Sequence, residues 1–130
     1  MSYDKGIITD SLIQINDAIR QIIEWNSDIT SGDDYTSSPD GMKTLAATCM
    51  LLEAIGEGIK KIDRHTDKTL LYSVCPDIPW KNIMGMRDHI AHGYFGIDAD
   101  FVYDVVCDEL LILSNAIESL ISHIDKAANN

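Results

Sequence analysis

Apolar residues in the first part of the chain recur at the spacing of an amphipathic helix. The stripe predicts a helix from about residue 4 to residue 26. The following residues 27–41, SDITSGDDYTSSPDG, are polar and rich in turn-forming types, so we expect a loop there. The stripe itself alternates steps of four and three and consists of Ile8, Leu12, Ile15, Ile19 and Ile22.

A second amphipathic helix is predicted to begin near residue 38, because Ser38 followed by Pro39 resembles an N-cap with proline in the first turn. Glycine inside a helix costs up to about 1 kcal/mol relative to alanine. Gly56 and Gly58 therefore indicate that close packing decided the residue choice, and Ala46 and Ala47 offer further small surfaces. The apolar face of this helix contains Leu45, Cys49, Leu52, Ile55, Ile59 and Ile62.

The second half of the chain predicts two more helices. Residues 63–78 are expected to form a connection, after which Pro79 opens a short helix ending near His92, where Gly93 reverses the chain. Asp98 is a plausible cap for the last helix, and no stretch shows the alternation of a strand. We predict an all-α fold, an antiparallel bundle of four main helices in a single domain over residues 1–130. The last helix has an apolar face of Phe101, Val105, Leu113, Ile117, Leu120 and Ile124.

Composition narrows the class of protein. Apolar residues make up 45% and charged residues 24% of 130 residues, which is typical of a globular domain and too apolar for disorder. No apolar run approaches the ~18 uncharged residues of a membrane span. The N-terminus lacks a basic segment followed by an apolar one, so we expect a cytoplasmic protein.

The three cysteines form no Cys-x-x-Cys pair, which argues against a zinc or redox motif. Cys49 and Cys107 lie in apolar stretches and are expected in the core, whereas Cys75 is expected in a loop. The net charge of −11 argues against a broad basic surface for nucleic acid. A local basic site that engages RNA briefly, or a protein partner, remains compatible with this charge.

The informative chemistry lies in residues 78–98, IPWKNIMGMRDHIAHGYFGID, which gather Arg87, Asp88, His89 and His92. An arginine fork matches phosphate oxygens, and a histidine moves protons near neutral pH. Together these groups suit RNA cleavage by an attacking 2′-hydroxyl. Two other interpretations stay open: a solvated helix end whose His92 complements the helix dipole, or a metal held by His89 and His92 with a further ligand. His65 and His123 are expected on the surface.

Helical geometry qualifies the cleavage hypothesis. On an ideal helix, Arg87 and His92 lie about 140° apart around the axis and about 7.5 Å apart along it. Either the helix loosens before Gly93, or the arginine reaches round, or two chains meet across a two-fold axis and place two Arg and two His in one cleft. We favour the last arrangement and predict a homodimer.

Arg87, His92 and Tyr94 follow the pattern Arg-x-x-x-x-His-x-Tyr, with IPW and GMR before the histidine, HGYFGID from the histidine onward, and LLEAIGEGIKKI on the second helix. In these features the chain resembles the HepT-like toxins of the HEPN superfamily over essentially its whole length. The resemblance implies a dimerising helical bundle in which the motifs of both subunits line a shared cleft. It also makes Arg87 and His92 catalytic, with Asp88 and His89 supporting them.

The resemblance further implies the toxin of a type VII toxin–antitoxin system, a metal-independent RNA endonuclease that needs no cofactor. Its partner would be a minimal nucleotidyltransferase antitoxin, which transfers AMP to Tyr94 and places bulk and negative charge beside Arg87 and His92. The alternative is an inactive HEPN dimer that only binds a nucleotide or the transferase. The negative net charge favours that alternative, and the intact motif favours the enzyme.

Overall fold

The computed structural model describes residues 3–90 and 96–128. Within these two ranges the chain forms helices and turns and contains no strand, which confirms the all-α prediction. The helices are α1 (Lys5–Trp25), α2 (Gly32–Thr36), α3 (Pro39–His65), α4 (Leu70–Val74), α5 (Trp80–Met84), α6 (Met86–Ile90), α7 (Ala99–Asp104), a π-helical turn (Val105–Glu109) and α8 (Leu110–Ala128).

The two longest helices, α1 and α3, pack as an antiparallel pair. Asn26, just beyond the end of α1, donates to Thr48 in the first half of α3 at 2.9 Å. Ile15, in the middle of α1, faces Gly58 in the second half of α3, where an added Cβ would lie 3.1 Å from Ile15 Cδ1. The predicted apolar stripes of both helices are buried at this interface and in the adjoining core, as the 3.6-residue period requires.

Side-chain caps fix where these helices begin. The Asp4 side chain accepts the backbone N–H of Ile7 at 3.1 Å, and Ser38 Oγ accepts that of Gly41 at 2.9 Å, so otherwise unsatisfied N–H groups are paired. Pro39 occupies the first turn of α3 as predicted.

The two predicted connections contain more helix than the sequence indicated. Residues 27–41 include α2, which forms because Tyr35 is fully buried and its hydroxyl donates to Asn26 Oδ1 at 2.5 Å. In residues 63–78, α3 continues to His65 and α4 follows, with Leu70 and Leu71 buried. Both α2 and α4 form because their apolar side chains are buried against helices distant in the sequence. The local polarity of these segments did not predict helix there.

The predicted third helix is divided at Gly85 into α5 and α6, which is a correction to the single helix expected from Pro79 onward. Trp80 starts α5 as a fully buried residue, and its indole N–H donates to the Cys75 carbonyl at 2.9 Å. The α5–α6 pair approaches α3 closely at Gly56: a Cβ there would lie 2.6 Å from the Ile83 carbonyl oxygen. The close approach of a neighbouring helix that Gly56 predicted is therefore present, and the neighbour is the α5–α6 pair.

The last part of the chain begins with α7, whose cap Asp98 accepts the N–H of Phe101 at 3.0 Å as predicted. Helix α7 packs on α2, and α2 follows the C-terminal end of α1. Helix α8 therefore starts near the C-terminal end of α1 and runs antiparallel to it. Ser114 Oγ donates to Asn16 Oδ1 at 2.6 Å across this interface. The predicted apolar face is buried from Val105 through Ile124, while Phe101 is half-buried against the core.

The cysteines follow the prediction in part. Cys49 is buried, and burial together with the nearby Glu53 raises its pKa to about 11. Cys75 is half-buried at the end of α4. Cys107 was expected in the core and is exposed, because it lies on the outer side of the π-helical turn between the buried Val105 and Leu110.

Candidate active site

Helix α6 carries the first three of the predicted functional residues. Arg87, Asp88 and His89 are all exposed, while Met86 and Ile90 are buried at 7% and 1% exposure. The two apolar side chains anchor this five-residue helix against α3. The polar side chains therefore face solvent from a backbone that is held by the core, as a site for an external ligand requires.

The three polar residues do not share one face of α6. At about 100° per residue, Arg87 and His89 lie about 200° apart, on opposite flanks of the helix, with Asp88 on the outer side between them. The His89 ring instead packs against Phe101 of α7, with ring centroids 5.9 Å apart and planes tilted by 33°. His89 thus contacts α7, and α6 by itself does not bring it to Arg87.

The guanidinium of Arg87 has no carboxylate partner among the described residues. The two ion pairs found there both involve Arg20, which lies 3.7 Å from Asp17 and 3.8 Å from Glu118. An exposed arginine that none of the described carboxylates pairs with can offer its planar fork to a phosphate.

His92 and Tyr94 lie outside the described residues, as do Gly93 and Phe95. The relative placement of Arg87 and His92, and the exposure of the Tyr94 hydroxyl, therefore stay predictions. The break at Gly85 changes the helix from which the placement of Arg87 is predicted. Arg87 lies on the short helix α6, which begins only at Met86, and not on one helix that runs on from Pro79.

The structure adds a groove that the sequence did not reveal. It is an open cavity of about 290 Å³ between α3, the α5–α6 pair and the α7–α8 segment. The π-helical turn borders it, and such turns occur frequently at functional sites. The lining residues are Leu52, Ile55, Asp77, Ile78, Pro79, Asn82, Ile83, Met86, His89, Phe101, Val105, Glu109, Leu110, Ile112 and Leu113.

Side chains suited to metal binding are not clustered in the part of the chain that the structure describes: no group of three or more His, Cys, Asp or Glu residues is found there. In the same residues no helix is long and apolar enough to cross a membrane. His65 and His123 are exposed, as predicted, and lie on α3 and α8. Trp80 and Met86 belong to the core.

Comparison with known proteins gives a family. Residues 15–120 match the family model described as "Ribonuclease HepT-like". The chain is 29% identical to "Putative RNase MJ0127" of Methanocaldococcus jannaschii, over 92% of this chain and 91% of the relative. It is 32% identical to "Probable ribonuclease HepT" of Thermococcus cleftensis, over 85% of this chain and 93% of the relative. No solved structure shows a significant match.

The chain therefore belongs to the HepT-like ribonuclease family, and it is an enzyme of the ribonuclease class. The helical fold agrees with this family, and the family model spans every described residue of α6, including Arg87.

Proposed function

We propose that the protein is the toxin of a toxin–antitoxin pair, an RNA endonuclease that cleaves without a metal ion. The observation that carries the proposal is Arg87, which is exposed, has no ion-pair partner among the described residues and lies on a helix anchored by Met86 and Ile90 in a HepT-like ribonuclease. Arg87 binds the scissile phosphate of the RNA and stabilises the negative charge that develops on it.

In the proposed reaction, His92 removes the proton from a 2′-hydroxyl, whose oxygen attacks the adjacent phosphorus. The bond to the 5′-oxygen breaks, and that oxygen takes up a proton. The products are a 2′,3′-cyclic phosphate and a 5′-hydroxyl. A homodimer provides two histidines, so that one serves as base and the other, protonated, as acid. Asp88, adjacent to Arg87 on α6, supports this site directly, and His89 supports it from the opposite flank of α6, where its ring packs against Phe101.

An RNA-cleavage assay tests this proposal. It is run in EDTA to remove metal ions, and mass spectrometry identifies the ends of the products. Removing a charge-stabilising donor or a general acid–base group costs about 10²–10⁴-fold in rate, so Arg87→Ala and His92→Ala should both lose cleavage. Arg64→Ala and His123→Ala are matched controls, since both side chains are exposed on other helices. Full activity of Arg87→Ala or His92→Ala, with the controls unchanged, would refute the assigned chemistry.

The dimer is tested separately by light scattering at micromolar concentration. A mass of about twice 14.5 kDa is expected. A monomer that cleaves RNA at the full rate would rule out the shared cleft.

Regulation is proposed to act through Tyr94, to which a nucleotidyltransferase antitoxin transfers AMP from ATP with release of pyrophosphate. Each transfer adds a phosphodiester of about −1 charge two residues from His92, and Arg87 can bind it in place of RNA. Tyr94→Phe should escape the AMP-sized mass increase seen in the wild type, with circular dichroism confirming an unchanged fold. Mass additions that persist on Tyr94→Phe would place the acceptor elsewhere.

A further inference from the structure

The groove beside α6 has the volume and the lining residues of a site for a single heterocycle. Its volume of about 290 Å³ lies just below the range of about 300–1,000 Å³ that is typical of pockets for small organic ligands. Buried aliphatic side chains such as Leu52, Ile55 and Leu113 form the floor. Such a volume suits one heterocycle rather than a dinucleotide.

The groove adjoins the helix that carries Arg87. Met86 and His89, the residues immediately before and two positions after Arg87, both line it. A helix with its side chains is only about 10–12 Å wide. An RNA strand whose phosphate contacts Arg87 can therefore place the base of a nearby nucleotide in the groove by crossing α6.

The rim provides the groups that recognise a base. His89 and Phe101 present two rings at the edge of the groove, and bases in single-stranded RNA stack on such side chains. Asn82 can donate to and accept from a base edge, while Asp77 and Glu109 are exposed carboxylates that accept from amino groups. The same carboxylates repel phosphate, so the rim suits a neutral base that carries hydrogen-bond donors.

Net charge gives an independent reason to expect binding through bases. Most nonspecific affinity for nucleic acid comes from cations that neutralise phosphates. A chain with 10 Lys and Arg against 21 Asp and Glu has little of this attraction to offer. A ribonuclease of this composition needs contacts that do not depend on phosphate charge, and base stacking in an apolar groove is one.

We propose that the groove between α5–α6 and α7–α8 binds a nucleobase of the RNA substrate, and that it favours bases with an exocyclic amino group over uracil. The proposal rests on the proposed ribonuclease function of the α6 site. Binding of a free nucleoside requires no cleavage, so failure of this proposal is distinguishable from failure of the proposed chemistry.

The direct test follows the methionine methyl groups by NMR in the intact protein. Of the five methionines, Met86 lines the groove, whereas Met42 and Met50 are exposed elsewhere on α3 and serve as internal controls. Cytidine and adenosine should shift the Met86 signal, and uridine should shift it less at equal concentration. Ribose 5-phosphate, which has a phosphate and no base, should leave it unchanged.

Two adjacent positions on α8 provide matched variants. Ile112 is 56% exposed and lines the groove, and Leu111 is 62% exposed and does not. Ile112→Trp should obstruct the groove and weaken cytidine binding by about tenfold or more, the size of a lost base stack. Leu111→Trp adds the same bulk outside the groove and should bind as the wild type does. Glu109→Gln, at an exposed position, should reduce the preference for cytidine over uridine even if Ile112→Trp fails to fold.

Three results would overturn the proposal. The first is a shift of the Met86 signal by ribose 5-phosphate that is as large as the shift by cytidine, and the second is no shift with any nucleoside. The third is conversion of a dimer to a monomer by Ile112→Trp and not by Leu111→Trp, which would assign the groove to a second copy of the chain.

Discussion

The two glycines on the inner side of α3 allow a paired test of how the α5–α6 segment is held. At Gly56, a Cβ would lie 2.6 Å from the Ile83 carbonyl oxygen and 3.3 Å from Met86 Cβ. At Gly58, a Cβ would lie 3.1 Å and 3.3 Å from the end of the Ile15 side chain. The first obstacle includes backbone, which can yield only if α5 moves, and the second is a flexible side chain.

The expected stabilities follow from two opposing contributions. Replacing glycine by alanine inside a helix stabilises it by up to about 1 kcal/mol. Forcing an extra methyl group into a packed site costs about 1–3 kcal/mol. Gly58→Ala should therefore be neutral or up to about 1 kcal/mol more stable, because Ile15 can adjust. Gly56→Ala should be less stable than Gly58→Ala by about 1–3 kcal/mol.

Urea unfolding of both variants and the wild type measures this difference, and an unchanged m-value would confirm a change in stability alone. Gly56→Ala should also lose ribonuclease activity, because a shift of α5 displaces the neighbouring α6 and Arg87. If Gly56→Ala were as stable as Gly58→Ala, the close approach of α5 to α3 would not constrain the fold and the reasoning would be refuted.

Further predictions concern buried polar and thiol groups. Tyr35→Phe should destabilise the protein by about 1–3 kcal/mol, measured by urea unfolding, because Asn26 Oδ1 loses its donor. Burial raises the pKa of Tyr35 to about 12; an unfolded tyrosine ionises near pH 10. The native state thus holds this proton more tightly, so the free energy of unfolding should fall as pH rises from about 10 to 12, and Tyr35→Phe should reduce that fall. A thiol reagent should modify Cys107 rapidly and Cys49 only after unfolding, since Cys107 is exposed while burial raises the pKa of Cys49 to about 11. Equal reaction rates of the two thiols would contradict their assigned positions.

The sequence by itself determined the principal helices, because their signals are local. The stripe from Ile8 to Ile22 predicted α1 to within a residue at each end, and Ser38, Pro39 and Asp98 marked the helix starts that the structure contains. A period of 3.6 residues and an N-cap depend only on neighbours within one or two turns. The motif formed by Arg87, His92 and Tyr94 could also be found from the sequence alone, because it consists of residue types at fixed spacing.

Tertiary structure decided the features that depend on residues distant in the chain. Helix α2 forms in a polar segment because Tyr35 is buried and bonded to Asn26, and the helix predicted from Pro79 is interrupted at Gly85, in the segment that lies against Gly56. The groove combines side chains from residues 52 to 113, so no local sequence pattern predicts it. Cys107 is exposed for a related reason, since an apolar stretch does not say which side of the π-helical turn each residue occupies. Burial is a property of the packed molecule, and the local pattern predicts it only where one regular helix presents one face to the core.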